Sequence, residues 1–178
     1  MKEKVLSIFN SCAILIVCSI LMGAFYFQFG LHEDPCPLCL LQRMGMIGVI
    51  LGLAMNIQFG FSSKHFGIVI IAALVGLTFS TRQVLLHICP SPDEPGGYGS
   101  PIMGMYLYSW GVLIFLASIL GSAIFLFFID TQKSETQKKV FPFEKIVFFI
   151  AATITFVNII ATYFECFLGP CCENGPCP

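Results

Sequence analysis

Five runs of apolar residues divide this chain: Val5–Phe29, Leu40–Phe59, Phe66–Ile88, Ser109–Ile129 and Ile146–Phe164. A helix of about 20 apolar residues crosses the hydrocarbon core of a bilayer, and each run is of that order. Polar positions fall mostly between the runs, which are apolar all round rather than striped on one face. Connections are short. The pattern predicts an all-α fold, a polytopic membrane helical bundle with a four-helix core plus a fifth transmembrane helix. The bundle spans residues 1–165, and an extracytoplasmic Cys-rich tail spans 166–178. The first run is longer than the 7–15-residue core of a signal peptide, and no A-x-A site ends it, so it is read as a span.

Composition agrees. Of 178 residues, 57% are hydrophobic and only 11% charged, less than half of the roughly 25% usual in a soluble domain. Net charge is −1, and no basic patch points to nucleic acid.

Lysines set the orientation, because cytoplasmic loops carry the excess of basic residues. Lys2 and Lys4 precede the first run, Lys64 lies between the second and third, and Lys133, Lys138, Lys139 and Lys145 lie between the fourth and fifth. Placing these segments in the cytoplasm puts the N-terminus inside and the C-terminus outside. Seven cysteines then fall on the outer side or at its edge: Cys36, Cys39, Cys89, Cys166, Cys171, Cys172 and Cys177. Disulfides persist on the oxidising side of a membrane. Cys12 and Cys18 lie within the first run and read as small core hydrophobes.

Chemistry concentrates in Pro35-Cys36-Pro37-Leu38-Cys39-Leu40-Leu41-Gln42-Arg43. Two thiols at this spacing close a disulfide or hold a metal. Pro37 suits the first turn of a helix, and a helix starting near Pro37 or Leu38 places Cys39 in that turn. There the positive end of the helix dipole favours a thiolate. Arg43 follows Cys39 by four residues and shares its face. It can stabilise a thiolate or the anion of a reduced acceptor, or alternatively reach lipid phosphate. As a mere staple the pair would contribute little, because so short a loop gains little entropy on closure. At the end of the third run, Arg82, Gln83 and His87 are polar positions in an apolar stretch. Gln83 and His87 share a helical face, and ionisable groups in a membrane are functional candidates. His87 can donate to an acceptor oxygen or relay protons.

The stretch Cys36 to Arg43 resembles the DsbB family, which carries Cys-x-x-Cys at the outer start of the second span followed by a polar residue and Arg. Arg82 through His87 is similar to the family's ending of its third span. The resemblance covers about residues 5–130. It implies a quinone-linked thiol oxidase of the bacterial inner membrane, with ubiquinone or menaquinone as cofactor. Cys39 would face the quinone, Cys36 would exchange disulfide with a second cysteine pair, and Arg43, Arg82 and His87 would bind the cofactor. The partner would be a periplasmic DsbA-like thioredoxin-fold protein.

One departure stands out. The family usually keeps both cysteines of the second pair between spans three and four, whereas here the segment from Cys89 to Tyr108 holds only Cys89. The tail offers substitutes in a tandem repeat, Cys166-Phe-Leu-Gly-Pro-Cys171 and Cys172-Glu-Asn-Gly-Pro-Cys177. Cys89 is expected to pair, at least transiently, with Cys166 or Cys171. Such a link requires Cα atoms within about 7 Å, and hence spans three and five as outer-face neighbours. Two rivals remain: a vitamin K epoxide reductase-like thiol/quinone protein, and a soft-metal protein using Cys36, Cys39, Cys171 and Cys172 as ligands for Cu or Hg.

Overall fold

In the computed structural model, residues 2–33, 35–88, 99–128, 140–166, 171–172 and 175–176 are described. Five long helices carry the fold: α1 (Lys2–Phe25), α2 (Pro37–Phe59), α3 (Ser63–Leu86), α4 (Leu107–Phe128) and α5 (Pro142–Cys166). All five are long and apolar enough to cross a membrane. Each corresponds to one of the expected runs. The helical ends overshoot the apolar runs because capping residues add a turn. Pro37 sits in the first turn of α2 with Cys36 as its N-cap, and the Ser62 hydroxyl accepts from the Lys64 N–H ahead of α3. The described part of the tail is a small antiparallel ladder, Cys171 opposite Pro176 and Cys172 opposite Gly175.

α2 is the most enclosed helix and packs most extensively on α3, which packs in turn on α4. Glycines allow the close approach. A Cβ on Gly45 would lie 2.8 Å from the Gly76 Cα, one on Gly48 2.7 Å from the Ala72 Cβ, and one on Gly52 2.6 Å from Val69 Cγ2. These three glycines line one face of α2 at helical spacing. In a bilayer, where apolar side chains gain nothing by leaving lipid tails, such small-residue faces let backbones approach and gain dispersion contact. The buried Phe115 ring of α4 lies over Gly76, where any Cβ would overlap it.

α5 seats on α1 and α2. Its N-terminal end is held by Glu144, buried at 1% exposure. One carboxylate oxygen accepts from the Ser7 hydroxyl of α1, the other from the Phe141 N–H at 2.9 Å. The second bond is the return half of a capping box, an N3 glutamate closing on the N-cap amide. Beside it, His65 Nδ1 contacts Asn56 Oδ1 at 3.0 Å, Asn56 donates to Asn10 at 3.1 Å, and Asn10 donates to the Leu53 carbonyl at 3.1 Å. This chain of amides ties α1, α2 and α3 together at the same end. Buried polar groups must be satisfied in this way where water is absent.

The expectation that spans three and five are neighbours is corrected here. Among the described residues α5 leans on α1 and α2, with no comparable contact to α3. The reason is that α2 occupies the middle of the bundle, its glycine face taken by α3 and another part of its surface by α5.

The glycine contact predicts a sharp pair of outcomes. Gly76→Ala should destabilise the protein by about 1–3 kcal/mol through overpacking against Phe115. Gly121→Ala, at a position with nothing within 4 Å, should be neutral or stabilising by up to about 1 kcal/mol from helix propensity. Thermal unfolding of the two purified variants in detergent measures both.

Candidate functional site

At the N-terminal head of α2, Cys36 and Cys39 form a disulfide with Cα atoms 5.1 Å apart. Pro37 opens the helix, so Cys36 takes the N-cap position with extended backbone (φ −68°, ψ 154°), and its sulfur accepts the Cys39 N–H at 3.1 Å. The expected helix start is therefore observed. The capping amide serves Cys36, however, although the dipole's benefit was expected at Cys39. The N-cap side chain, not a residue within the first turn, is the one aimed at the free N–H groups.

A second donor reaches the disulfide from α3. Gln83 is 1% exposed. Its Nε2 lies 3.2 Å from Cys36 Sγ and 3.5 Å from Cys39 Sγ. Gln42, on the α2 turn after Cys39, donates from its Nε2 to Gln83 Oε1 at 2.6 Å. The next polar residue of α3, His87, holds its Nδ1 2.8 Å from the Gln83 carbonyl. Donation from Nδ1 to that carbonyl leaves Nε2 of a neutral ring as the acceptor. The His87 ring stacks on Tyr108 with centroids 5.3 Å apart, and Tyr108 stacks on Tyr106 at 5.4 Å.

Arg43 lies one helical turn below Cys39 and is buried, 8% exposed. Its guanidinium donates to Gln28 Oε1 at 2.6 Å and to the Ala24 carbonyl at 3.2 Å, and it stands 5.7 Å from the centre of the Phe25 ring. Gln28 belongs to a π-helical turn, Tyr26–Gly30, that continues α1. Such turns are frequent at functional sites. Arg43 thus does not reach out to lipid phosphate. Its two described hydrogen-bond acceptors, the Gln28 amide oxygen and the Ala24 carbonyl, are neutral. Five N–H donors in a fixed fork leave capacity for an oxygen acceptor beside Cys39.

Loops close over this end. Glu33 accepts from the Ser100 N–H and hydroxyl. Ile102 and Met105 pair across a tight turn in which Met103 and Gly104 take positive φ (52° and 80°). Trp110 donates from its indole N–H to the Ile102 carbonyl at 3.2 Å. Trp110 thereby ties this turn to the start of α4. At Gly111 of α4 the lack of a side chain has a consequence, since a Cβ there would lie 2.8 Å from Ser80 Oγ and 3.3 Å from Gln42 Oε1.

The structure thus brings together Cys36, Cys39, Arg43 and His87 of the expected residues. Arg82 is exposed, on the side of α3 away from this cluster. Cys166 is in a disulfide. Cys89 and the side chain of Cys171 lie outside the described residues. Cys12 and Cys18 are free thiols of α1. In the sequence Gln83 stands out as a polar position sharing a face with His87, whereas Gln28 and Gln42 are not among the expected site residues. Their signal in the sequence is that each is a lone amide in an apolar run, and only the packing reveals where each amide goes.

The chain is also similar in sequence to known proteins. The family model for "Disulfide bond formation protein DsbB" matches residues 7–97, from α1 to beyond the end of α3. Proteins named disulfide bond formation protein B are similar to the chain. That of Marinobacter nauticus is 36% identical over 89 residues, covering 46% of this chain and 52% of the relative. That of Chromobacterium violaceum is 35% identical over 98 residues, 51% and 59%. That of Chromohalobacter salexigens is 30% identical over 119 residues, 61% and 67%. The chain spans little more than half the length of the first two. No solved structure matches. Since the family match takes in Cys36, Cys39, Arg43 and His87 alike, this multi-pass membrane protein belongs to the DsbB family.

Proposed function

We propose that the protein is a membrane thiol oxidase of the bacterial inner membrane that reoxidises a periplasmic DsbA-like dithiol protein and passes the electrons to membrane quinone. The observation that carries this reading is the Cys36–Cys39 disulfide at the head of α2, with buried Arg43 one turn below. The relatives' name, disulfide bond formation protein B, supports the same chemistry. The lysine distribution supports an inner N-terminus and an outer C-terminus.

The residues fit a quinone by their donor set. A quinone offers two carbonyl oxygens and a flat apolar ring. Arg43 has donors in excess of its two described neutral acceptors, and the His87–Tyr108–Tyr106 stack offers flat apolar surface. When bound, quinone supplies a two-electron, two-proton acceptor. Cys39 and Arg43 would line its site, Arg43 favouring the Cys39 thiolate and supplying donors for a quinone oxygen. His87, with Nδ1 on the Gln83 carbonyl, would keep Nε2 available to hold or give up a proton. Closing the Cys36–Cys39 disulfide releases two electrons and two protons, which balances reduction of the quinone to hydroquinone. Arg82, exposed on α3, is assigned to lipid phosphate at the membrane surface rather than to the quinone itself.

Electrons enter through Cys36, which exchanges disulfide with a second pair that includes Cys89 and a tail cysteine. The packing of α5 away from α3 favours Cys171 over Cys166 as the partner of Cys89. Five further residues of tail extend the reach by up to about 17 Å, whereas Cys166 is fixed at the helix end. Cys166 would remain in its own disulfide.

Cys36→Ser and Cys39→Ser should each abolish quinone reduction by a reduced dithiol protein, followed by quinone absorbance. Full activity in Cys39→Ser would end the oxidase reading, and purified chain carrying stoichiometric copper instead of quinone would favour the soft-metal alternative. Arg43→Ala leaves both thiols and should raise the KM for quinone about tenfold or more, the scale of a lost hydrogen bond to a charged group. Unchanged quinone kinetics would remove Arg43 from its role. For orientation, a membrane-impermeant thiol reagent added to reduced, intact cells should label tail cysteines, and a reporter fused at Lys138 should read as cytoplasmic. A tail protected from the reagent would break the proposed link to Cys89.

A further inference from the structure

We infer that Gln83 is a catalytic residue of the Cys36–Cys39 pair, a hydrogen-bond donor to whichever sulfur becomes thiolate, and that Gln42 is the positioning residue that holds its amide in the working orientation. The inference rests on the reading of Cys36–Cys39 as a redox pair and adds a residue from α3 to it.

Geometry fixes the sense of the amide. Sulfurs in a disulfide carry no hydrogen, so they only accept. Gln83 faces both of them within 3.5 Å, and an oxygen turned that way would meet lone pairs with no proton between. Gln42 removes the ambiguity from the other side, because its Nε2 donates to Gln83 Oε1 at 2.6 Å and leaves Nε2 for the sulfurs. An amide nitrogen has two N–H donors, one for each sulfur. Gln83 is 1% exposed and Gln42 6%, so water does not compete for either group. Gly111 on α4 lies against Gln42 Oε1, where a Cβ would come within 3.3 Å.

The chemistry follows from thiol–disulfide exchange. An incoming thiolate attacks one sulfur of the pair, a new intermolecular S–S bond forms, the Cys36–Cys39 bond breaks, and the other sulfur leaves as thiolate. Attack at Cys36 leaves Cys39 as thiolate, facing one Gln83 N–H. Attack at Cys39 leaves Cys36, which keeps Gln83 together with the Cys39 backbone N–H at 3.1 Å. Hydrogen bonds to charged acceptors are shorter and stronger than those to neutral ones. The amide therefore stabilises the opened pair more than the closed one and makes the disulfide a stronger oxidant. Removing it makes the disulfide harder to reduce.

The test uses the purified full-length protein in detergent, equilibrated with graded ratios of reduced to oxidised dithiothreitol, without added quinone or partner protein. Alkylation and peptide mass mapping report the redox state of Cys36 and Cys39 specifically. Gln83→Met keeps length and loses both donors. It should shift the equilibrium about tenfold toward the disulfide, a potential about 30 mV more negative. Gln42→Met leaves the Gln83 amide in place but unclamped, and should shift it the same way by about threefold. A Gln83→Met equilibrium within twofold of the parent overturns the inference. So does a Gln42→Met equilibrium identical to the parent, which decides the matter alone if Gln83→Met does not fold. Failure of quinone reduction in the parent protein would sink the proposed function without touching this measurement, so the two readings fail separately.

Discussion

Everything at the disulfide end of this bundle depends on how closely α2 and α3 approach. A Cβ on Gly45 would nearly touch the Gly76 backbone, so the two helices meet almost backbone to backbone. Gln83 lies two turns beyond Gly76 on α3, and Cys39 and Gln42 lie on the turns of α2 just before Gly45. A glutamine side chain spans only a few ångströms. With the helices pushed apart by a side chain at the crossing, Gln83 would fall short of the sulfurs, and the clamp to Gln42 would open. The Phe115 ring of α4, lying over Gly76, fills the space that the missing side chains leave and keeps the contact from sliding. In lipid, this packing replaces the hydrophobic drive that would hold such helices together in water.

Burial gives the site its second constraint. A disulfide, an arginine and three glutamines sit where few waters reach, and each polar atom left unmet costs about 1–3 kcal/mol or more. The sequence meets this by pairing donors with acceptors across helices: Arg43 on Gln28 of the π turn and on the Ala24 carbonyl, Gln42 on Gln83, and Gln83 on the sulfurs. The result is that Gln83 and the Cys39 backbone N–H are the donors aimed at the sulfurs, with Gln42 fixing Gln83 from behind. Preorganised donors of this kind need no rearrangement when charge develops on a sulfur. The same cross-helix pairs couple four segments, so the geometry of the disulfide reports on the packing of the whole end.

Much of this was legible in the sequence. Five apolar runs gave five helices, because length and hydropathy leave a spanning segment little choice but to be helical. Pro37 marked the start of α2, and the Cys36, Cys39 and Arg43 spacing carried the site. The parts that were not legible depend on which face of one helix meets which face of another. Runs that are apolar all round carry no moment to orient them, so Gln83 could not be told from Gln28 as a partner of the disulfide, nor Arg82 from Arg43 as the buried cation. The neighbour relation of α5 failed for the same reason. Its polar positions, Glu144 and Asn158 among them, mark one face, but nothing in them says whether that face meets α1 and α2 or α3.

The fifth helix lies beyond the stretch that matches the family, and the structure shows how it is attached. At its N-terminal end a buried carboxylate would be a liability unless met on both oxygens. Glu144 is met by the Ser7 hydroxyl of α1 and by its own N-cap amide at Phe141, so one residue both starts the helix and docks it. At its other end the last residue of the helix, Cys166, is held in a disulfide. Neither end alone would position a helix that otherwise faces lipid over most of its length. Together they fix its depth and its rotation.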